Sequence, residues 1–191
     1  MLTLYGSTTS PYVRRIRIIL HSIAHSFVNL QIFSGPDRET LRNRNPALKV
    51  PMLVDGEQNV FDSRVIHRYL SQRFSWPALS WDDENQLTLI DAVNDSMVQM
   101  FLLSKTDVDT SVDKLYFTLQ RERISTSLDA LEALSKQGAF TQWHYPSICL
   151  FSMLDWGMFR ELLSLDAYPG LTEVHQRFCQ REDVKITDPR L

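Results

Sequence analysis

Apolar residues at positions 2 and 4, then at 13, 16, 20 and 23, set two different rhythms at the start of this chain. Residues 2 to 5 read as a strand. Val13, Ile16, Leu20 and Ile23 recur at three- and four-residue spacing around Arg14, Arg15 and Arg17, which predicts an amphipathic helix. Phe27 to Ile32 alternates as a second strand, and Ser34-Gly35-Pro36-Asp37 is a turn into a short polar helix near 37–44. Val50 to Val54 and Gln58 to Phe61 flank the turn Asp55-Gly56-Glu57 as a hairpin. A helix follows with Val65, Ile66, Tyr69, Leu70 and Phe74 on one face, and Asp62 or Ser63 is placed to cap it.

Ser75 to Ser80, broken by Pro77, reads as a linker, and helical spacing dominates everything beyond it. Helices are expected over 82–104, 111–136, about 147–165 and about 171–181. The order is strand, helix, strand, helix, strand, strand, helix over 1–76, then an all-α domain over 81–191. This is a small α/β domain joined to a helical one.

Composition changes this picture little: 43% of the residues are hydrophobic and 23% charged, and no apolar run approaches the length of a membrane span. The N-terminus has no basic region followed by a cleavable apolar stretch, so a cytoplasmic location without membrane attachment is expected. Charge adds more. Lys and Arg number 10 against 5 acidic residues up to residue 80, and 10 against 18 beyond it, so the halves carry +5 and −8. A basic first half suits a small anionic ligand, whereas a nucleic-acid surface would concentrate the charge further. Cys149 and Cys179 lack the spacing of a zinc site or a disulfide framework, and no metal is expected.

The local chemistry has ordinary readings beside functional ones. Ser10 precedes Pro11 as an N-cap precedes a first-turn proline, with Ser7, Thr8 and Thr9 as neighbouring hydroxyls. Pro51 suits an edge strand, Lys49 a solvated surface, and Asp62 and Ser63 a helix start, which is also an anion site. Arg14 reads as part of a solvated helix face, with the ligand or the domain interface as the alternative. Met97, Met100, Phe101 and Tyr116 read as core or as the wall of an apolar pocket.

Three motifs carry a resemblance. Ser10-Pro11-Tyr12-Val13-Arg14-Arg15-Ile16-Arg17 is similar to S-P-[FY]-x-x-[KR]-[VI]-R, Asn45 to Leu53 to N-P-x-G-K-[VI]-P-x-L, and Phe61-Asp62-Ser63-Arg64-Val65-Ile66 to [FE]-[ED]-S-x-x-I. In this order they resemble the cytosolic glutathione transferases, small bacterial serine-type members above all, and the match spans the chain. The fold implied is a thioredoxin-like domain followed by an all-α domain. Glutathione is the implied co-substrate, and its thiolate attacks a small hydrophobic electrophile or a peroxide.

The resemblance implies a role for each matched position. Ser10 becomes the donor to the thiolate, with Thr9 next in line. Val50 pairs through its backbone with the cysteinyl part, ahead of a cis Pro51. Lys49 meets the glycine carboxylate, and Asp62 and Ser63 hold the γ-glutamyl end. A homodimer is also implied. Leu150 stands where the family's helical-domain capping box has an acid, so Ser147 is expected to cap that helix alone. An alternative is a non-catalytic interaction protein resembling stringent starvation protein A, which binds RNA polymerase. A thiol-disulfide reductase would need a cysteine at or beside Ser10, and there is none.

Overall fold

A computed structural model describes all 191 residues. Strand β1 (Leu2–Gly6) pairs parallel with β2 (His25–Asn29) and antiparallel with β3 (Met52–Asp55), and β3 pairs antiparallel with β4 (Gln58–Phe61). The strand order is β2-β1-β3-β4. Leu2 and Leu4 alternate with half-buried Thr3 and Tyr5 as the two-residue period requires, and they pack with Leu53, Val60 and the apolar faces of two helices. These helices are α1 (Pro11–Ile19), contributing Val13 and Ile16, and α3 (Ser63–Phe74), contributing Ile66 and Leu70. Helix α2 (Gly35–Arg44) buries only Leu41. β2 starts ahead of its expected span and ends at Asn29, because its ladder runs from Leu2 opposite His25 to Gly6 opposite Asn29 and stops where β1 stops.

Two features of β1 bear on function. A Cβ at Gly6 would lie 2.5 Å from Val13 Cγ2, so glycine alone lets the strand end pass this close to α1. Register then aligns Tyr5 with Met52 and Met52 with Phe61. The segments that follow β1, precede β3 and follow β4 therefore leave from one end of the sheet.

The chain divides into two compact units: Met1–Ala78 together with Arg181–Leu191, and Leu79–Gln180. The last eleven residues, attached by the sequence pattern to the helical domain, fold with the first unit instead. The reason is hydrogen bonding that no periodicity announces. Two guanidiniums of α1 donate to carbonyls at the C-terminal end of helix α8 (Glu182–Lys185). Arg14 Nη2 donates to the Val184 carbonyl at 3.2 Å, and Arg17 Nη2 to the Ile186 carbonyl at 3.3 Å. Arg14 is 2% exposed, which corrects its reading as a solvated residue.

The second unit holds α4 (Trp81–Ser104), α5 (Leu115–Lys136), α6 (Tyr145–Phe159) and α7 (Pro169–Phe178). Every residue of α6 from Tyr145 to Gly157 is buried, Ser147, Ser152 and Asp155 among them, as befits a central helix covered on all sides. Its start corrects the sequence reading: His144 is the N-cap, and Ser147 lies inside the first turn with Oγ 2.9 Å from His144 Nδ1. The capping box of this unit opens α4, where Ser80 and Asp83 satisfy each other's backbone N–H groups. No helix is long and apolar enough to cross a membrane.

Candidate functional site

Ser10 is the N-cap of α1, in extended backbone, with Pro11 at the first helical position. Its Oγ accepts from the Val13 N–H at 3.3 Å, so its own O–H proton is left to donate elsewhere. Two of the preceding hydroxyls meet each other, Ser7 Oγ and Thr9 Oγ1 being 3.2 Å apart, and the backbone N–H of Thr8 donates to Asn29 Oδ1 at 3.1 Å.

The second station is the loop before β3, organised by Asn45, which is wholly buried. Its Nδ2 donates to the Lys49 carbonyl at 2.7 Å, and its Oδ1 accepts from the Ala47 N–H at 3.0 Å. Arg38 Nη1 reaches the carbonyls of Ile32 at 3.1 Å and Leu48 at 3.5 Å. Leu48 takes φ +56°, a left-handed conformation costly to a branched residue. Lys49 is exposed, Val50 half-buried and Pro51 buried, and the Val50–Pro51 bond is cis.

The third station is the start of α3. Asp62 holds φ +72°, and its Oδ1 accepts from the N–H groups of Arg64 at 2.8 Å and Val65 at 3.3 Å. Its carboxylate is exposed, whereas Ser63 is 2% exposed. The amides expected to be open to an anion are thus partly served by the cap itself. Arg15, on α1, places Nη1 3.5 Å from Ser63 Oγ. Farther along α3, Tyr69 donates to Asp55 Oδ2 at 2.7 Å, and Arg73 pairs with the same oxygen. The bond to Asp55 holds the Tyr69 phenol above its usual range and fixes α3 to the hairpin.

The family model "Glutathione S-transferase, N-terminal domain" matches residues 4–79. Over 148 residues the chain is 32% identical to the uncharacterized GST-like protein YibF of Escherichia coli, covering 72% of this chain and 71% of that protein. The chain belongs to the glutathione S-transferase family. A shorter match, 32% over 79 residues, joins it to the stringent starvation protein A homolog of Haemophilus influenzae, with 41% of this chain and 37% of that protein covered. The crystal structure of a glutathione S-transferase from Methylobacillus flagellatus with glutathione bound superposes with a TM-score of 0.86. It is 22% identical and covers 99% of this chain and all of that one.

In this glutathione S-transferase family member, all six sequence-predicted site residues lie in the first unit, at the sheet end where the three segments emerge. Asn45, Arg38 and Arg15 were not singled out. Asn45 carried a signal, since an Asn before Pro favours a side-chain-closed turn. The proposed apolar pocket residues separate: Met97 is core, while Tyr116 is exposed and bonded to Gln99. An open groove of about 480 Å³ in the second unit is lined by Asp82, Gln86, Leu89, Leu134 and their neighbours, and by none of the four. No cluster of His, Cys, Asp and Glu is arranged to hold a metal ion.

Proposed function

We propose that this protein binds glutathione across the end of the sheet and presents its thiolate to a small electrophile or a peroxide. The observation that carries the reading is the register of Tyr5 with Met52 and of Met52 with Phe61, which brings Ser10, Val50-Pro51 and Asp62-Ser63 to one edge. A free thiol has a pKa near 8.5 and is mostly protonated at neutral pH, so the site must favour the anion. Ser10 has a hydroxyl proton to give, and it sits at the positive end of a nine-residue helix. Each unit by which the thiol pKa falls corresponds to about 1.4 kcal/mol of preference for the thiolate. The Ser7 contact of Thr9 weighs for Ser10 as the donor.

The remaining residues take the rest of the tripeptide. The Val50 backbone pairs with the cysteinyl unit, Lys49 meets the glycine carboxylate, Asp62 the γ-glutamyl ammonium, and Ser63 its carboxylate. In conjugation the sulfur bonds to an electrophilic carbon, the leaving group departs with its electron pair, and the thiol proton passes to solvent. With a peroxide, two glutathiones yield a disulfide, an alcohol and water. A two-fold dimer in the cytoplasm belongs to the same reading.

The test is retention on immobilised glutathione, followed by titration of wild type and Ser10→Ala with a model electrophile. Ser10→Ala keeps its glutathione affinity and loses about 10- to 100-fold in rate, the scale of one lost hydrogen bond to a charged group. Unchanged rate moves the donor role to Thr9 or a backbone N–H. No retention removes the enzyme reading and favours a second one, supported by the shorter match: a non-catalytic protein that, like stringent starvation protein A, binds RNA polymerase.

A further inference from the structure

Arg15 is the largest fully buried side chain of the molecule, at 0% exposure. A guanidinium stays charged in any protein setting, and removing it from water costs several kcal/mol, more than an apolar residue of similar volume would. Its environment shows where that charge acts. Arg15 lies on α1 with Cζ 5.1 Å from the centroid of the Tyr12 ring, and its Nη1 is 3.5 Å from Oγ of Ser63, the first residue of α3. A guanidinium only donates, so Ser63 Oγ is the acceptor in that contact, and a hydroxyl so polarised becomes a stronger donor through its own proton. The N-terminal end of α3 adds potential of the same sign.

Building on the glutathione reading above, we propose that Arg15 is a positioning residue for the γ-glutamyl carboxylate. It acts through Ser63 and supplies a fixed positive charge behind the first turn of α3. The two charges of that ligand end are then divided between two depths. The exposed Asp62 carboxylate faces the ammonium, and the covered Arg15 guanidinium stands behind the carboxylate. Arg15 has no part in activating the sulfur, which falls to Ser10 at the N-terminal end of α1.

The experiment compares two ligands by calorimetry on the full chain: glutathione, and glutathione with its γ-glutamyl α-carboxylate converted to the primary amide. Wild type prefers glutathione. Arg15→Met, which keeps the aliphatic stem, binds glutathione about tenfold more weakly and the amide within about twofold of wild type. Arg15→Lys retains the charge and the preference. In steady-state assays Arg15→Met raises KM for glutathione and leaves kcat and the pH profile of the bound thiol in place. Equal weakening of both ligands by Arg15→Met, or no change in either, overturns the assignment while the glutathione reading stands. If Arg15→Met does not fold, Arg15→Gln, which also removes the charge, is measured in its place, and equal weakening of both ligands or no change in either overturns the assignment in the same way. Failure of wild type to bind glutathione overturns the assignment together with that reading.

Discussion

Among the helix starts of this protein that are served by carboxylates, those of α3 and α7 are built to opposite ends. At α3 the acid is local and exposed: Asp62 takes the Arg64 and Val65 amides on one oxygen, Oδ1. At α7 the acid is remote and covered. Glu132 of α5, 7% exposed, takes the Gly170 N–H on Oε1 and the Leu171 N–H on Oε2, each at 2.9 Å, with Lys136 Nζ also 2.9 Å from Oε1. Both satisfy donors that an α-helix leaves open at its first turn. One leaves a carboxylate oxygen facing solvent, where a ligand cation can meet it, and the other uses both oxygens inside the protein. A helix N-terminus is a binding site only where its capping group has capacity to spare.

Replacing each acid by its amide tests this contrast most severely. Glu132→Gln turns one of two occupied oxygens into an NH₂ group that faces a backbone N–H. The expected loss is about 2 kcal/mol in chemical denaturation, the scale of an unsatisfied buried donor. The loss is also pH-dependent. Burial works to raise the Glu132 pKa, but the Gly170 and Leu171 amides and Lys136 prevail and hold it below the usual range. A depressed carboxylate stabilises the fold fully above its unfolded pKa, and that contribution is lost as pH falls through the folded value. The gap between wild type and Glu132→Gln should therefore narrow as pH drops below the ordinary carboxylate range. A constant gap would mean that Glu132 acts through packing.

Asp62→Asn is the counterpart, and a smaller stability effect is expected. The amide retains Oδ1 for both N–H groups, and Asn tolerates positive φ as Asp does. Stability should stay within about 0.5 kcal/mol of wild type, while glutathione affinity falls through loss of the charge facing the ammonium. Large destabilisation with unchanged affinity would make α3 a second structural cap like α7 and end the comparison.

What the sequence disclosed follows the same division between local and remote. Ser10, Pro11 and Asp62 were legible because caps and first-turn prolines act on their own helix, and Val13, Ile16, Ile66 and Leu70 because one buried face repeats with the helical period. Helix α6 hid its start because burial on all sides leaves no face to count. The capping box at Ser80 and Asp83 was present in the sequence but fell in a stretch read as linker on account of Pro77. Glu132, Arg15 and the tail contacts of Arg14 were out of reach. Their partners lie 38, 48 and 170 residues away, and no periodicity links a side chain to a distant hydroxyl, amide or carbonyl.

The smallest expected effect concerns a residue that departs from the family pattern beside the site. Leu48 occupies the position where the motif resembled by Asn45 to Leu53 has glycine, and it holds φ +56°. Its backbone is committed on both sides, with its N–H on the Asn45 carbonyl at 2.9 Å and its carbonyl near Arg38 Nη1. Glycine adopts that φ without steric cost, which is worth about 1 kcal/mol, but it loses more chain entropy on folding and forfeits a half-buried leucine side chain. The terms nearly cancel, so Leu48→Gly should change stability by less than about 1 kcal/mol. Glutathione affinity should hold, because Asn45 Nδ2 fixes the Lys49 carbonyl independently of the Leu48 side chain. A marked drop in affinity at unchanged stability would show instead that the leucine side chain, and not the Asn45 clamp, sets the path of the chain into Val50 and Pro51.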